Sequence, residues 1–570
     1  MEAHISTFFG AAGFFGQLCQ SCINAFELWE KVDIADEKAF EFHARLELQR
    51  AKLHQWTQQW KTLANATSSG ISDTWLQTYQ HAIGNYLQLI AHTTRNLTTH
   101  QNDVPIFQNM VIAKASSMSQ RLSKLLDPQS IDSTDSLCSD PSSLKERLQW
   151  ALRSGKAMER LELLTTLIRD LESFLPSPGY DSNLTGALIL NSALISKPDA
   201  LKLKWLSQQT DFDLFTTSLA RLKAMNMTHV NDLELYSEFE LNGTVQRMRT
   251  SETGRHYLGT YNGDCVLIEK KTIPFEKNIH TIIDERIRKI VRLLKLSQGM
   301  NGLRTPPCLG YIKRGPGLDL KSENCSVYEI LYSTSTGQVV SLRDMLRSEN
   351  FTRFKSALSL DKRFEIARTL AKAILYLHSA EWLHKGIRSS NVVFLPPAQS
   401  DTGTSQAGFQ FDLPYLVGFE CSRTNSHTEG TENIAGTEES NLYRHPAVQG
   451  LPKAEPDSYL GDTGRFSKNH DIYSLGVILI ELGLLMSAGR IKAQARKYDP
   501  DYGKHSAEKF QRLLLDKLVP EVALTMGKVY ADVTFCCLKA DFYHPSPELH
   551  HMNAETFYQN VVAALDLCRA

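Results

Sequence analysis

The side chains able to do chemistry gather in a few short stretches. His384-Lys385-Gly386-Ile387-Arg388-Ser389-Ser390-Asn391 sets an imidazole, two cations and an amide along one segment, with no carboxylate among them. An amide oxygen there could be one ligand of a hard cation. Such cations recruit carboxylates as well, so a lone Asn391 is poor equipment for metal chemistry. Val266-Leu267-Ile268-Glu269-Lys270-Lys271 places opposite charges side by side after an apolar run, and Val417-Gly418-Phe419-Glu420 ends on a single carboxylate. Cys19-x-x-Cys22 has the spacing of a redox couple or of half a metal site. It lies in an apolar helical pattern without a second ligand pair, and reads as core packing. The other close grouping among the ten cysteines is Cys536-Cys537, and no paired Cys/His zinc spacing occurs, so no metal centre is expected.

These stretches sit on recognisable elements. From Gly243 onward His256 to Ile268 reads as a strand, a tight Asn262-Gly263 turn and a second strand. A helix follows with Ile283, Ile287, Ile290, Val291 and Leu294 on one face, then a strand from Ser326 to Tyr332, then a helix from Arg363 to His378. A small β lobe ahead of a helical lobe is the order expected for residues 241–570. Gln399 to Gln410 and Thr424 to Ser440 read as solvated loops whose Ser and Thr could be phosphorylated by another enzyme.

The segment from Tyr376 to Phe394 resembles the catalytic loop of protein kinases, and three further landmarks follow in order: Val417-Gly418-Phe419-Glu420, Tyr443-Arg444-His445-Pro446 and Asp471 to Val477. Phosphoryl transfer leaves a protein mainly positioning and charge neutralisation to do, through a Gly-rich loop, a strand lysine paired to a helix glutamate, metal ligands and a catalytic-loop aspartate. The resemblance implies that most of these are missing. Arg249, Ser251 and Gly254 stand for the three loop glycines, and Glu269 stands for the strand lysine, reversing its charge. A bulge or one-residue slip would offer Lys270 or Lys271 instead. Glu285 is the counterpart of the helix glutamate, with Glu276 as the alternative.

Gly386 takes the place of the catalytic-loop aspartate, where general-base catalysis is worth about 10²–10⁴-fold. Gly418 takes that of the D-F-G aspartate, and Glu420 displaces its glycine. Asn391 is kept, as are His384, Phe419 and the structural Asp471. The expectation is a kinase scaffold without kinase chemistry, a pseudokinase with no catalytic residue. Any nucleotide binding would fall on Gly254, Glu269, Lys270, Lys271, Glu285 and Asn391, taking ATP without efficient magnesium-dependent turnover.

Ahead of residue 240 the pattern is helical. Phe42, Leu46, Leu53, Trp56 and Trp60 recur at helical intervals, as do Leu144, Leu148, Leu152, Leu161, Leu164, Ile168, Leu171 and Leu175. Helices are also expected around Trp75 to Arg95 and Val104 to Leu126. From Ala3 to Phe26 no Asp, Glu, Lys or Arg occurs, and Phe8, Phe9, Phe14 and Phe15 alternate with Gly10, Gly13 and Gly16. The stretch lacks the basic lead of a secretory signal and is diluted for a spanning helix. Two readings stay open: the first helix of a soluble bundle, or a helix docked at rest and released to a membrane or partner. The opening helix, Phe42 to Trp56 and Leu148-Gln149-Trp150-Ala151-Leu152 resemble the HeLo domain of filamentous fungi. That family implies prion-controlled and heterokaryon-incompatibility cell death, with a freed N-terminal helix attacking the membrane. The order of bundle and kinase-like domain is similar to that of the mixed lineage kinase domain-like protein of animal necroptosis.

With 62 basic and 63 acidic residues and 42% hydrophobic content, the chain has ordinary globular composition and no electrostatic footprint for nucleic acid. It is expected to be multidomain: an all-α HeLo-like bundle at 1–200, a helical connector at 201–240 and an α+β two-lobed kinase-like domain at 241–570. The expected function is cell-death signalling in which the degenerate domain regulates the bundle. An atypical active kinase and a cytosolic scaffold are the alternatives. Membrane lipid, self-association through the bundle and an upstream protein activator are the expected partners. The scattered cysteines favour a reducing, cytoplasmic setting, with regulated recruitment to the plasma membrane.

Overall fold

The computed structural model of the chain describes helical positions between 39 and 57, residues 71–95, most of 146–174, a few positions between 203 and 224, and most of 239–570. Within that last range it leaves out 251–255, 275–276, 299–302, 315–324, 335–336, 348–353, 397–408, 426–437, 450–465, 503–505, 543–555 and isolated neighbours. The charge-free run with Phe8, Phe9, Phe14 and Phe15, and the helix expected at 104–126, lie outside the described residues. The chain divides into two compact units, Met1–Leu194 and Ile195–Ala570.

The described part of the first unit is helical. Helix α1 is Ile71–Arg95 and helix α2 is Lys156–Ser173. The apolar positions expected to face inward do so: Phe42, Leu46, Leu53 and Trp56 join Ile83, Leu87 and Ile90 of α1, Leu148 and Leu152, and Leu161, Leu164, Ile168 and Leu171 of α2 in one buried cluster. Each such side chain contributes about 1.5–3 kcal/mol on burial. Polar ties join the same helices: the Trp56 indole N–H donates to the Leu171 carbonyl at 3.0 Å, and the Tyr86 hydroxyl meets Asp170 at 3.3 Å.

The second unit opens with a five-stranded antiparallel sheet of order β1-β2-β3-β5-β4. Its strands are β1 (Gln246–Thr250), β2 (His256–Tyr261), β3 (Asp264–Pro274), β4 (Cys308–Arg314) and β5 (Cys325–Ser333). The β2–β3 hairpin turns at Asn262 and Gly263, both at positive φ (53° and 91°), as a tight two-residue turn requires. Helix α3 (Lys277–Leu296) lies between β3 and β4 and buries Ile283, Ile287, Ile290, Val291 and Leu294.

The helical lobe follows, built on α4 (Leu360–Ser379), α5 (Lys468–Leu484), α6 (Val519–Met526) and α7 (Lys528–Lys539). Helix α5 is apolar nearly all round and buried along most of its length, as such a helix must be. Short strands β6 (Val340–Ser341), β8 (Val392–Phe394) and β9 (Tyr415–Leu416) form one ribbon, and β7 (Trp382–Leu383) pairs β10 (Arg423–Thr424). The turns that leave β7 and β9 therefore meet under the large sheet.

Candidate functional site

Strand alternation decides what β3 offers this junction. The register of β3 with β5 runs without a bulge through residues 266–271, and that with β2 through 266–269, so Glu269 and Lys271 share one face and Lys270 takes the other. No slip exchanges them. The Glu269 carboxylate, 1% exposed, accepts hydrogen bonds from the Gly418 and Phe419 backbone N–H groups, the latter at 3.0 Å. Lys271 reaches the same turn and donates to the Glu420 carbonyl at 2.8 Å. The two charged residues therefore tie the sheet to the 418–420 turn. Burial, then the neighbouring Glu420 carboxylate, holds the Glu269 pKa above the usual carboxylate range.

The two glycines are packed against the retained amide. Asn391 is fully buried and donates from Nδ2 to the Gly386 carbonyl at 2.6 Å. A Cβ on Gly418, whose φ is +92°, would overlap that Asn391 amide, and one on Gly386 would come within 2.8 Å of the Gly418 carbonyl oxygen. A carboxylate side chain at 418 would have to displace Asn391, and one at 386 would press on the Gly418 backbone. A magnesium–nucleotide complex, which the kinase-like fold would imply, does not suit these residues: Glu269 and Lys271 are both bound to backbone, and the metal-facing positions are glycine. Glu285 lies away from the junction; its side chain is 58% exposed and pairs with Lys289 one turn on at 2.9 Å. Gly254 and Glu276 lie outside the described residues, as does the side chain of Arg249.

The bracing residues come together as a compact set. Asp471, at the start of α5, accepts from the backbone N–H groups of His384 (2.8 Å) and Lys385 (2.9 Å), with His378 Nε2 at 3.4 Å. Hydrogen bonding to His378 and the charge field of both imidazoles outweigh desolvation and hold its carboxyl below the ordinary range. His384 stacks edge-on to Phe419 at 4.5 Å and accepts from the Gly386 N–H at 3.1 Å. Burial pushes its imidazole down to about 4. Lys385 takes positive φ (62°) to make this turn.

Three buried polar clusters were not foreseen. Glu329 of β5 binds Arg247, Arg314 (2.9 Å) and the Tyr257 hydroxyl. A single carboxylate inside the apolar run Ser326 to Tyr332 was its visible signal. Glu481 of α5 accepts from Tyr443 (2.7 Å), Ser389 (3.3 Å) and the Ala488 N–H (2.7 Å), fixing the 440s segment to the helix. Glu381 binds Lys468 at 2.9 Å, and Lys223, 5% exposed, lies in its field with a pKa lowered by burial to about 8. That cluster draws a residue of the expected connector into the second unit.

The sequence profile of the HeLo family, described as prion-inhibition and propagation, matches residues 6–195. Among curated proteins the chain is similar to the L-type lectin-domain containing receptor kinase IX.2 of Arabidopsis thaliana, at 31% identity over 166 residues, 28% of this chain and 19% of that protein. It is also similar to a probable LRR receptor-like serine/threonine-protein kinase of the same plant, at 29% identity over 171 residues, 29% of this chain and 14% of the other. The chain thus spans at most about a fifth of the length of these relatives. The N-terminal region carries a HeLo domain, and the C-terminal region, a sheet followed by helices, is kinase-like.

Proposed function

We propose that this is a cell-death signalling protein in which a catalytically degenerate kinase-like domain regulates a membrane-targeting HeLo bundle. The HeLo match supports the first half of that reading. The observation that carries the second is the seat of Glu269: where phosphoryl transfer needs a cation free to hold nucleotide phosphates, a carboxylate is bound to the Gly418 and Phe419 N–H groups. The domain acts through its conformation and contacts, an upstream protein activator shifts that conformation, and the bundle self-associates at the plasma membrane. Among the described residues no helix is long and apolar enough to cross a membrane. The charge-free run from Ala3 to Phe26 is what supports assigning the membrane contact to Phe8, Phe9, Phe14 and Phe15.

Dye release from anionic liposomes tests the reading. Residues 1–240 are expected to cause leakage, the full chain to suppress it, and a Phe14→Asp/Phe15→Asp fragment to lose it. Failure of the intact fragment to leak dye or bind lipid defeats the executor and leaves a cytosolic scaffold. Phosphate transfer from magnesium–ATP by the full chain, abolished in Lys271→Ala, defeats the degenerate-domain half.

A further inference from the structure

Among the described residues, the cleft between the 385–388 turn and the 440s segment holds a guanidinium with no counter-charge in contact, that of Arg388. It is lined by Lys385, Gly386, Arg388, Glu420, Tyr443 and Arg444, among others, so that three cations face one carboxylate. Other arginines of this lobe are engaged: Arg363, Arg368 and Arg423 donate to backbone carbonyls, and Arg343 pairs with Glu439. Arg388 differs from these four. Among the described residues its side chain has no hydrogen-bond or ion-pair partner, although its Nε is buried. A guanidinium cannot lose its charge in a protein, and a buried donor left without a partner is costly. The nearby loop position that would answer it, residue 386, is glycine, and Glu420, the cleft's carboxylate, makes no contact with Arg388 within ion-pair distance.

We propose that this cleft is a receptor for a phosphomonoester on a peptide side chain, with Arg388 as the principal contact and Lys385 and Arg444 beside it. A guanidinium presents paired donors matched to phosphate oxygens, and a dianion suits a cleft where cations outnumber carboxylates. The rim is fixed in advance, since Tyr443 is held by Glu481 and Ser389 and the Ser474 hydroxyl donates to the Tyr443 carbonyl at 2.7 Å. Loss of the carboxylate at 386 thus turns a place for transferring phosphate into one for reading it. This rests on the non-catalytic reading of the domain. A chain that transfers phosphate from ATP fails that reading, whereas a chain that neither transfers nor binds fails only the receptor.

The test is fluorescence anisotropy of the full chain with a labelled phosphothreonine peptide in neutral Gly/Ala flanks, beside its unphosphorylated twin, with inorganic phosphate as competitor. Wild type is expected to prefer the phosphopeptide, Arg388→Gln to weaken it at least tenfold, and Arg388→Lys to fall between. The thermal midpoint should not fall, because the native guanidinium makes no bond to lose and its buried donor is a cost. Displacement by phosphate at concentrations like that of the peptide would assign the site to the phosphate group alone. Displacement only at far higher concentration would assign it to phosphopeptide, and either upholds the site. Equal binding of the two peptides, or of wild type and Arg388→Gln, overturns it.

Discussion

Two halves of the same junction have gone different ways. On one side Asp471, His384 and His378 hold the turn after β7 with buried, hydrogen-bonded groups. On the other, Glu269, Gly386, Gly418 and Asn391 close against one another where reactive groups would stand. The bracing half orients backbone, a task independent of whether chemistry follows. The altered half contains the positions where, on the proposed reading, chemistry would need reactive groups. Its substitutions are mutually adapted: the carboxylate on β3 satisfies two N–H groups of the 418–419 turn, and the glycines make room for the Asn391 amide. Such a site is a packed structure in its own right, and restoring single residues works against its neighbours.

The sharpest break comes from the bracing half. Asp471→Ala orphans two buried N–H groups and is expected to cost roughly 2–6 kcal/mol at about 1–3 each, read as a fall in the denaturant midpoint. In the altered half Gly418→Asp is expected to destabilise rather than repair, by roughly 1–3 kcal/mol from overpacking alone, with no gain in magnesium–ATP transfer. A variant that gained stability or transfer would remove the claim of mutual adaptation.

Proton linkage separates the halves next. His384 titrates near 4 when folded against 6.5 ordinarily, so the stability it adds is present above 6.5 and lost as pH falls toward 4. Glu269 runs the other way: its folded pKa is raised to about 8 from 4.5, so stability falls as pH rises between those values. Denaturation of Glu269→Gln at pH 5 and pH 8 should show that alkaline loss reduced while the acid loss remains. The smallest effect is expected at Glu285→Ala, within about 0.5 kcal/mol of wild type, since an exposed i,i+4 pair contributes little.

Legibility differed residue by residue. Period-2 and period-3.6 patterns located β2, β3, β5, α3 and α4 because each follows from neighbours along the chain. The hairpin at Asn262-Gly263 was visible because those two residues tolerate the positive φ that the turn demands. Of the cleft, motif order singled out Gly386 and Gly418, while their packing against Asn391 and each other came only with the fold. That Lys271 would point with Glu269, and Lys270 away, required only alternation, but the unbroken register was needed to choose between them. Glu285 was named from motif position, and its exposed pairing with Lys289 depends on the helix face it occupies, which motif order does not specify.

What residue order specified was therefore local: element type, turn position and the absence of particular functional groups. Which groups met was decided across the fold. Glu269 finds its partners 149 and 150 residues away, and the cleft that Arg388 lines draws on Glu420, Tyr443 and Arg444. A carboxylate's partner depends on which loops cross beneath the sheet, and that depends on packing summed over a whole lobe, which no short window of sequence contains.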